Sequence, residues 1–219
     1  MPIKPKQLIK IGSATLSDAL GKTGAMQHEM RPRSAQAKMA GPAFTVRVHP
    51  ADILMVTPAL AACPAGHVLV IDGGGERNTA LWGEITTEAA HRKGLAGVVI
   101  NGALRDSHAI SRSPLPVFAL SIVPNAGGAE YPGELGIAVA CAGTVVQPGD
   151  WLVGDEDGVV VIPAAQLEAA TARALEIVAA EKRIIREMRR GQELADILHI
   201  PEKLKRKREA GLIPQLAKQ

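Results

Sequence analysis

Residues 83–106 read GEITTEAAHRKGLAGVVINGALRD, and this stretch decides the fold. Trp82-Gly83-Glu84 reads as a loop arriving at a helix start, Ile85 to Lys93 as a helix with a polar face, and Gly94 as its stop. A short apolar strand, Gly97 to Ile100, follows, and the stretch closes in a turn carrying Arg105-Asp106. A helix N-terminus presents free backbone N–H groups and partial positive charge, both suited to an anion. An Arg-Asp pair at a strand end presents a fork-shaped cation beside a hard oxygen ligand. A helix–strand unit lets that turn fold back beside the helix start, so the two ends meet in a pocket for a small carboxylate and a divalent metal. On spacing alone a plainer reading stands beside this one, with Glu84 an ordinary first-turn acid and Arg105-Asp106 a surface ion pair.

Upstream of this unit, His67 to Asp72 is a strand running into Gly73-Gly74-Gly75, and Ala43 to Val48 alternates in strand fashion after Gly41-Pro42. Between them, Asp52 to Met55 opens a short helix ended by Pro58 or by Cys63-Pro64. Residues 7–22 form two short amphipathic helical pieces, with Ser13, Thr15 or Ser17-Asp18 as caps and Gly21 as a stop. Downstream, residues 116–119 are a strand, and the Gly-rich residues 122–143 are irregular apart from a strand at 137–140. Two β-branched runs, 151–153 and 159–162, flank Asp155-Glu156-Asp157-Gly158, a hairpin signal. From Pro163 the composition turns helical, with Leu167, Ala170, Ala174, Val178 and Ile185 at helical spacing. Gly191 breaks that helix, and shorter helical pieces continue through Leu216 with little core of their own. Such a segment needs another surface to pack on, and a neighbouring subunit supplies one. The chain thus divides into an α/β body with a mixed sheet, residues 1–163, and a helical C-terminal arm, residues 164–219.

Bulk properties agree. A chain of 219 residues, 47% hydrophobic and 21% charged, buries a substantial core as one body plus an appendage. Aromatics make up only 2%, so the core is built from Ala, Val, Ile and Leu, and stacking platforms for single-stranded nucleic acid are lacking. The net charge of +3 is unevenly placed, with much of the basic excess after Glu181 in KRIIREMRR and KLKRKRE. These read as the solvated face of interface helices rather than as a nucleic-acid patch. Cys63 and Cys141 sit in no CxxC or Cys/His ligand spacing. Met1 to Lys4 opens no apolar signal region and no apolar run approaches bilayer length, so a soluble cytoplasmic protein with no membrane or nucleic-acid partner is expected.

Competing motifs are weaker. VLVIDGGGERN suggests a dinucleotide turn, but GxGxxG would need glycine where Asn78 stands, and no Gly-Lys-Ser/Thr follows for a P-loop. Adenosyl-dependent methyl transfer would want the glycines to feed a helix at once, and several residues intervene before Glu84. The glycines read instead as a tight turn that lets backbone approach something closely. Asp155-Glu156-Asp157 lacks the closing Glu of a calcium loop and reads as turn residues. Of six scattered histidines, His91 and His108 lie nearest the central unit, and no serine sits in a nucleophile elbow.

The segments SATLSDALGKTG, GPAFTVRV, VLVIDGGG, ALWGE, GVVINGALRD and GDWLVGDEDGVVVIP, in that order, resemble the RraA-like family. That family includes the class II 4-hydroxy-4-methyl-2-oxoglutarate/4-carboxy-4-hydroxy-2-oxoadipate aldolases. The resemblance implies an α/β/β sandwich of the swivelling β/β/α type with a helical arm, and trimers or hexamers with active sites between subunits. It implies Asp106 as direct ligand of Mg²⁺ or Mn²⁺, with Glu84, where better-studied members are expected to have Asp, reaching the metal through water. Backbone N–H groups of Gly83, Glu84, Ile85 and Thr86 would bind the substrate carboxylate, and Arg105 its oxygens. An acid from a neighbour's arm would complete the metal shell, a place that Glu193 fills, with Gln192 as close in the local match. The implied activity is cleavage of a 4-hydroxy-2-oxo diacid to pyruvate and a second oxo acid, with oxaloacetate decarboxylation as a side activity. The alternative is a non-catalytic regulator of ribonuclease activity, a branch that resembles this chain less. That branch carries Gly at the acid position and an acid three residues after the Asp, where this chain has Glu84 and Ala109. The family's usual Gly-Asp-Asn is Ala51-Asp52-Ile53 here, a departure on the substrate side.

Overall fold

The computed structural model describes residues 3–212. In chain order the elements are α1 (Pro5–Ile11), α2 (Ser13–Ala19), β1 (Arg31–Pro32), β2 (Met39–Arg47), α3 (Val56–Ala62), β3 (Val68–Trp82), α4 (Glu84–Lys93) and β4 (Gly97–Leu104). There follow α5 (Ser107–Ile110), β5 (Val117–Ile122), β6 (Glu134–Leu135), β7 (Val139–Cys141), β8 (Thr144–Val146), β9 (Trp151–Asp155) and β10 (Gly158–Ile162). A 3₁₀ turn then leads into α6 (Leu167–Met188), α7 (Leu194–Ile197) and α8 (Ile200–Glu209). The helical pieces expected at residues 213–216 lie outside the described residues.

The main sheet runs β1-β5-β4-β3-β2-β9-β10, with β6 added beside β2. Strands β2, β3, β4 and β5 are mutually parallel, and the β9–β10 hairpin joins antiparallel. Strand β2 is shared: its residues Met39 to Pro42 pair with β9, while Ala43 to Arg47 pair with β3. Gly41 sits at this crossover because a Cβ there would lie 2.6 Å from the Gly66 carbonyl oxygen.

Alternation along the strands sorts the core into three clusters. Leu69, Ile71, Val98 and Ile100 face α3, α4 and α5, with Ala59, Ala90 and Ile110 from those helices. Val68, Val70, Val99 and Phe118 face the opposite way, meeting Leu152, Val159 and Val161 of the hairpin. The hairpin's other face, Val153, Val160 and Ile162, packs Leu8, Leu16, Ala170 and Ala174. Helices, sheet, hairpin and helices therefore stack as layers, and β4, between β5 and β3, is buried along its whole length, as a parallel strand covered on both faces must be. Asp155 ties the outer layer down, its carboxylate accepting from the Ser13 N–H at 2.7 Å and the Ser13 hydroxyl at 2.6 Å. The acid in the hairpin thus serves α2 as well as its own turn, where it accepts from the Asp157 N–H.

Two local expectations change. Gly73-Gly74-Gly75 makes no chain reversal: β3 runs through it, with register shifts against β4 after Asp72. The glycines permit this bulged path, because Gly74 and Gly75 have φ of 69° and 76° and the Leu81 side chain crowds the Cα of Gly73. The compact body also extends past the composition change at Pro163. The chain falls into two units, Met1–Ala174 and Leu175–Gln219, because Ala170, Thr171 and Ala174 at the start of α6 are buried in the body. The second unit holds the rest of α6 with α7 and α8, and it exposes Ile185, Met188, Leu194, Ile200 and Leu204.

Candidate active site

The site lies beyond the C-terminal ends of parallel strands, where open α/β sheets bind ligands. β3 delivers Trp82 to Gly83, the N-cap of α4, and neighbouring β4 delivers Leu104 to Arg105. The Arg105 N–H donates to the Trp82 carbonyl at 2.9 Å, which sets the two strand ends side by side. Asp106 follows with φ 56° and ψ 37°, a left-handed conformation that Asp tolerates better than most residues. That conformation turns its carboxylate back onto the start of α4, where Oδ2 accepts from the Glu84 N–H at 3.0 Å. The Arg105 Nε stands 3.6 Å from the same oxygen. Asp106 Oδ1 accepts no hydrogen bond among the described residues.

The helix start is held by side chains. The Gly83 N–H donates to Thr86 Oγ1 at 3.0 Å, and the Thr86 and Thr87 hydroxyls both donate to the Gly83 carbonyl. Trp82 Nε1 donates to Thr87 Oγ1 at 2.7 Å, fixing the strand end to the helix. Among the described residues, the N–H groups of Ile85 and Thr86 have no partner, so the helix offers two oriented donors beside the Arg105 guanidinium. Gly83 must be glycine here for a reason of space: a Cβ would stand 2.6 Å from Asp106 Oδ2 and 3.4 Å from Arg105 Cγ.

A pocket of about 200 Å³ opens on these groups, lined by Gly83, Ile85, Thr86, Arg105 and Asp106. Its remaining walls are Ile53, Val56 and Thr57 from the β2–α3 region, Ala80, Leu81 and Trp82 from β3, and Ala126 from the loop after β5. Of the residues singled out from sequence, Glu84 lies at the same helix start, but its side chain lines an adjoining pocket with Glu88 and Arg112. His108 lines neither pocket. Glu193 is the exposed N-cap of α7 in the second unit, with Gln192 beside it. The apolar walls carry no sequence signal of their own, since they come from separate strand ends. Only the departure at Ala51-Asp52-Ile53 marked one of them.

Among the described residues, no three His, Cys, Asp or Glu side chains converge on a point. The donor set fits a cation that keeps most of its water, since Mg²⁺ commonly takes one or two carboxylates and leaves its other positions to water and substrate. Asp106, with Oδ1 free among the described residues, could supply one such ligand. Neither thiol is available as a nucleophile: burial pushes Cys63 up to about 11, and burial also raises Cys141, with the Asp72 carboxylate adding to it. No helix among the described residues is long and apolar enough to cross a membrane.

Comparison with known proteins bears on this arrangement. The RraA-like family model, described as Aldolase/RraA, matches residues 13–161, a span that includes the whole helix–strand unit. A 4-hydroxy-4-methyl-2-oxoglutarate aldolase of Thermus thermophilus is 36% identical over 148 residues, 68% of this chain and 90% of that protein. An uncharacterized protein of Methanocaldococcus jannaschii is 41% identical over 133 residues, 61% of this chain, and the match spans 64% of its length. Among solved structures, the RNA-processing inhibitor RraA from Thermus thermophilus superposes with a TM-score of 0.63 at 33% identity, covering 74% of this chain and 94% of that one. The strand-end pocket, the matched span and the shared layers lead to one conclusion: the chain belongs to the RraA-like family.

Proposed function

We propose that the protein is a divalent-metal-dependent aldolase that releases pyruvate from a 4-hydroxy-2-oxo acid. The reference substrate is 4-hydroxy-4-methyl-2-oxoglutarate, the acid in the Thermus relative's name, and oxaloacetate decarboxylation is a side activity. The observation that carries this reading is the Asp106 carboxylate, folded onto the Glu84 N–H at 3.0 Å with one oxygen free, beside Arg105 and two unpaired helix N–H groups.

Asp106 would hold Mg²⁺ or Mn²⁺ directly, Glu84 through water, and Glu193 from a neighbouring subunit would complete the shell. When bound, the cation supplies Lewis acidity at the carboxylate and 2-oxo oxygens of the substrate. The Ile85 and Thr86 N–H groups take the substrate carboxylate, while Gly83 and Glu84 hold the turn that aims them. Arg105 donates to the 2-oxo oxygen and stabilises the negative charge that develops there. Among the described residues no neutral side-chain base lines the pocket, so water takes the proton from the C4 hydroxyl. The C4 oxygen then forms a carbonyl, the C3–C4 bond breaks, and its electron pair remains on C3 as pyruvate enolate. Protonation at C3 gives pyruvate. The helical arm packs on a neighbouring subunit in a trimer or hexamer, an assembly that light scattering measures.

The test is pyruvate release from 4-hydroxy-4-methyl-2-oxoglutarate and from oxaloacetate, with Mg²⁺ and with chelator, for wild type and Asp106→Ala. Metal-dependent release that disappears in the variant is expected. No pyruvate from either acid, together with tight binding to a ribonuclease, would favour the regulator reading, which rests on the likeness to the RNA-processing inhibitor.

A further inference from the structure

We infer that Trp82 and Thr87 are positioning residues for the Asp106 carboxylate, joined to it by one unbroken chain of hydrogen bonds that passes through the Gly83–Glu84 peptide group. The inference rests on the aldolase reading for the reaction that the carboxylate serves, while the chain of bonds is a matter of geometry. Both side chains are buried, and the proposed chemistry gives neither a role. Trp82 Nε1 stands 2.7 Å from Thr87 Oγ1, which in turn stands 2.8 Å from the Gly83 carbonyl oxygen. An indole N–H only donates, so the hydroxyl oxygen must accept from it. The single hydroxyl proton of Thr87 is then left for the Gly83 carbonyl, and the direction of both bonds is fixed.

That carbonyl belongs to the same peptide group as the Glu84 N–H, which donates to Asp106 Oδ2 at 3.0 Å. The peptide is planar and trans, so its oxygen and its N–H point to opposite sides, and holding one aims the other. Three donors hold the oxygen: the Thr86 hydroxyl at 2.9 Å, the Thr87 hydroxyl, and the Thr87 N–H at 3.0 Å. Successive bonds in such a chain polarise one another, so donors on the carbonyl also strengthen the N–H toward the carboxylate. The Thr86 hydroxyl closes only a local loop, accepting from the Gly83 N–H. The Thr87 hydroxyl is tied through the indole to the buried end of β3. The core thereby sets the position of Oδ2, and Oδ1, which accepts no hydrogen bond among the described residues, is kept for a cation.

The test uses Thr87→Val, which keeps the shape and removes the hydroxyl, Thr87→Ser, which restores it, and Trp82→Phe, which removes the indole donor, all in the full-length protein. One readout is hydrogen exchange of the Glu84 amide by NMR, referred to the Arg105 amide, which donates to the Trp82 carbonyl and reports local fraying. The other is kcat and KM for pyruvate release from 4-hydroxy-4-methyl-2-oxoglutarate with Mg²⁺. In Thr87→Val the Glu84 amide is expected to exchange about tenfold faster against that reference, and kcat to fall about tenfold with KM held within about threefold. Thr87→Ser is expected to recover most of both. Adding Trp82→Phe to Thr87→Val should change either readout by less than about twofold, because the two groups act through one chain. A residue that merely packs would lower the melting temperature and leave the exchange ratio and kcat alone; that outcome in folded Thr87→Val overturns the inference. No pyruvate from wild type, with Glu84 exchange responding as expected, overturns the aldolase reading and supports the hydrogen-bonded chain. If Thr87→Val does not fold, Trp82→Phe decides, and an unchanged exchange ratio and kcat there overturn the inference.

Discussion

Replacing Gly83 by alanine tests the site at its tightest point. The backbone there, φ −156° and ψ −165°, is extended and open to alanine, so the variant suffers no conformational strain. What it meets is a carboxylate. The new Cβ would stand 2.6 Å from Asp106 Oδ2, so that oxygen must retreat to at least the 3.4 Å of ordinary contact. Oδ2 is the atom that accepts from the Glu84 N–H at 3.0 Å, and a retreat of that size breaks the bond. A lost hydrogen bond to a charged group costs about 1.5–3 kcal/mol, and the reduced freedom of the unfolded chain returns about 0.4–1 kcal/mol. The net loss of stability is therefore about 0.5–2.6 kcal/mol, small enough to leave the protein folded. Catalysis is more sensitive, because displacing a reacting group by nearly an ångström costs about 100-fold. Pyruvate release coupled to lactate dehydrogenase, beside a calorimetric melting curve, separates the two effects. Turnover within twofold of wild type in a folded Gly83→Ala protein would refute the contact between helix start and carboxylate as the organising feature of the site.

Asp106→Asn keeps the acceptor for the Glu84 N–H but removes the charge, so Mg²⁺ binding followed by calorimetry should disappear and turnover fall by about 100-fold or more, while the melting temperature holds. Ala51 has φ 61°, a left-handed position that costs an alanine about 1–2 kcal/mol, so Ala51→Gly should raise stability by about 1 kcal/mol in urea unfolding after allowance for the looser unfolded chain. Asp52 supplies the pH dependence. Burial acts to raise its pKa, but the N–H donors of Glu130, Leu54 and Tyr131, with a smaller contribution from His49, outweigh it, and the carboxyl lies below the ordinary aspartate value. A depressed folded-state pKa means stability that is present above the unfolded value of about 3.9 and lost as pH falls through the folded one. The urea midpoints of wild type and Asp52→Asn should therefore differ at pH 7 and converge below about pH 4; a gap that widens on acidification would show the sign to be wrong.

The helix–strand unit was legible because its punctuation is local. Gly94 sits at φ 75° as the stop of α4, and Gly83 and Glu84 open that helix within a residue of the expected start. The meeting of the helix start with Arg105-Asp106 followed from the same stretch, since a helix and the parallel strand after it return the chain to nearby ends, although it is the Glu84 N–H and not its carboxylate that reaches Asp106. What the sequence concealed is set by distant partners. Whether Gly73-Gly74-Gly75 turns back or bulges depends on its pairing with β4, and the bend that aims Asp106 is a backbone conformation with no residue signature beyond Asp itself. Ser13 looked like a helix cap and is instead clasped by Asp155, 142 residues away. The pocket walls at Ile53, Leu81 and Ala126 come from one strand and two separate loops, so no single window of sequence contains them.

The double duty of β2 makes the hairpin and the parallel sheet mechanically inseparable. One nine-residue strand is stitched by its first half into β9 and by its second half into β3. Peeling either partner away frays the strand that secures the other, so the two halves are expected to unfold in one transition in urea. Ile53 follows the end of that seam a few residues on, so the strand-end pocket is anchored to the whole weave rather than to a loose rim.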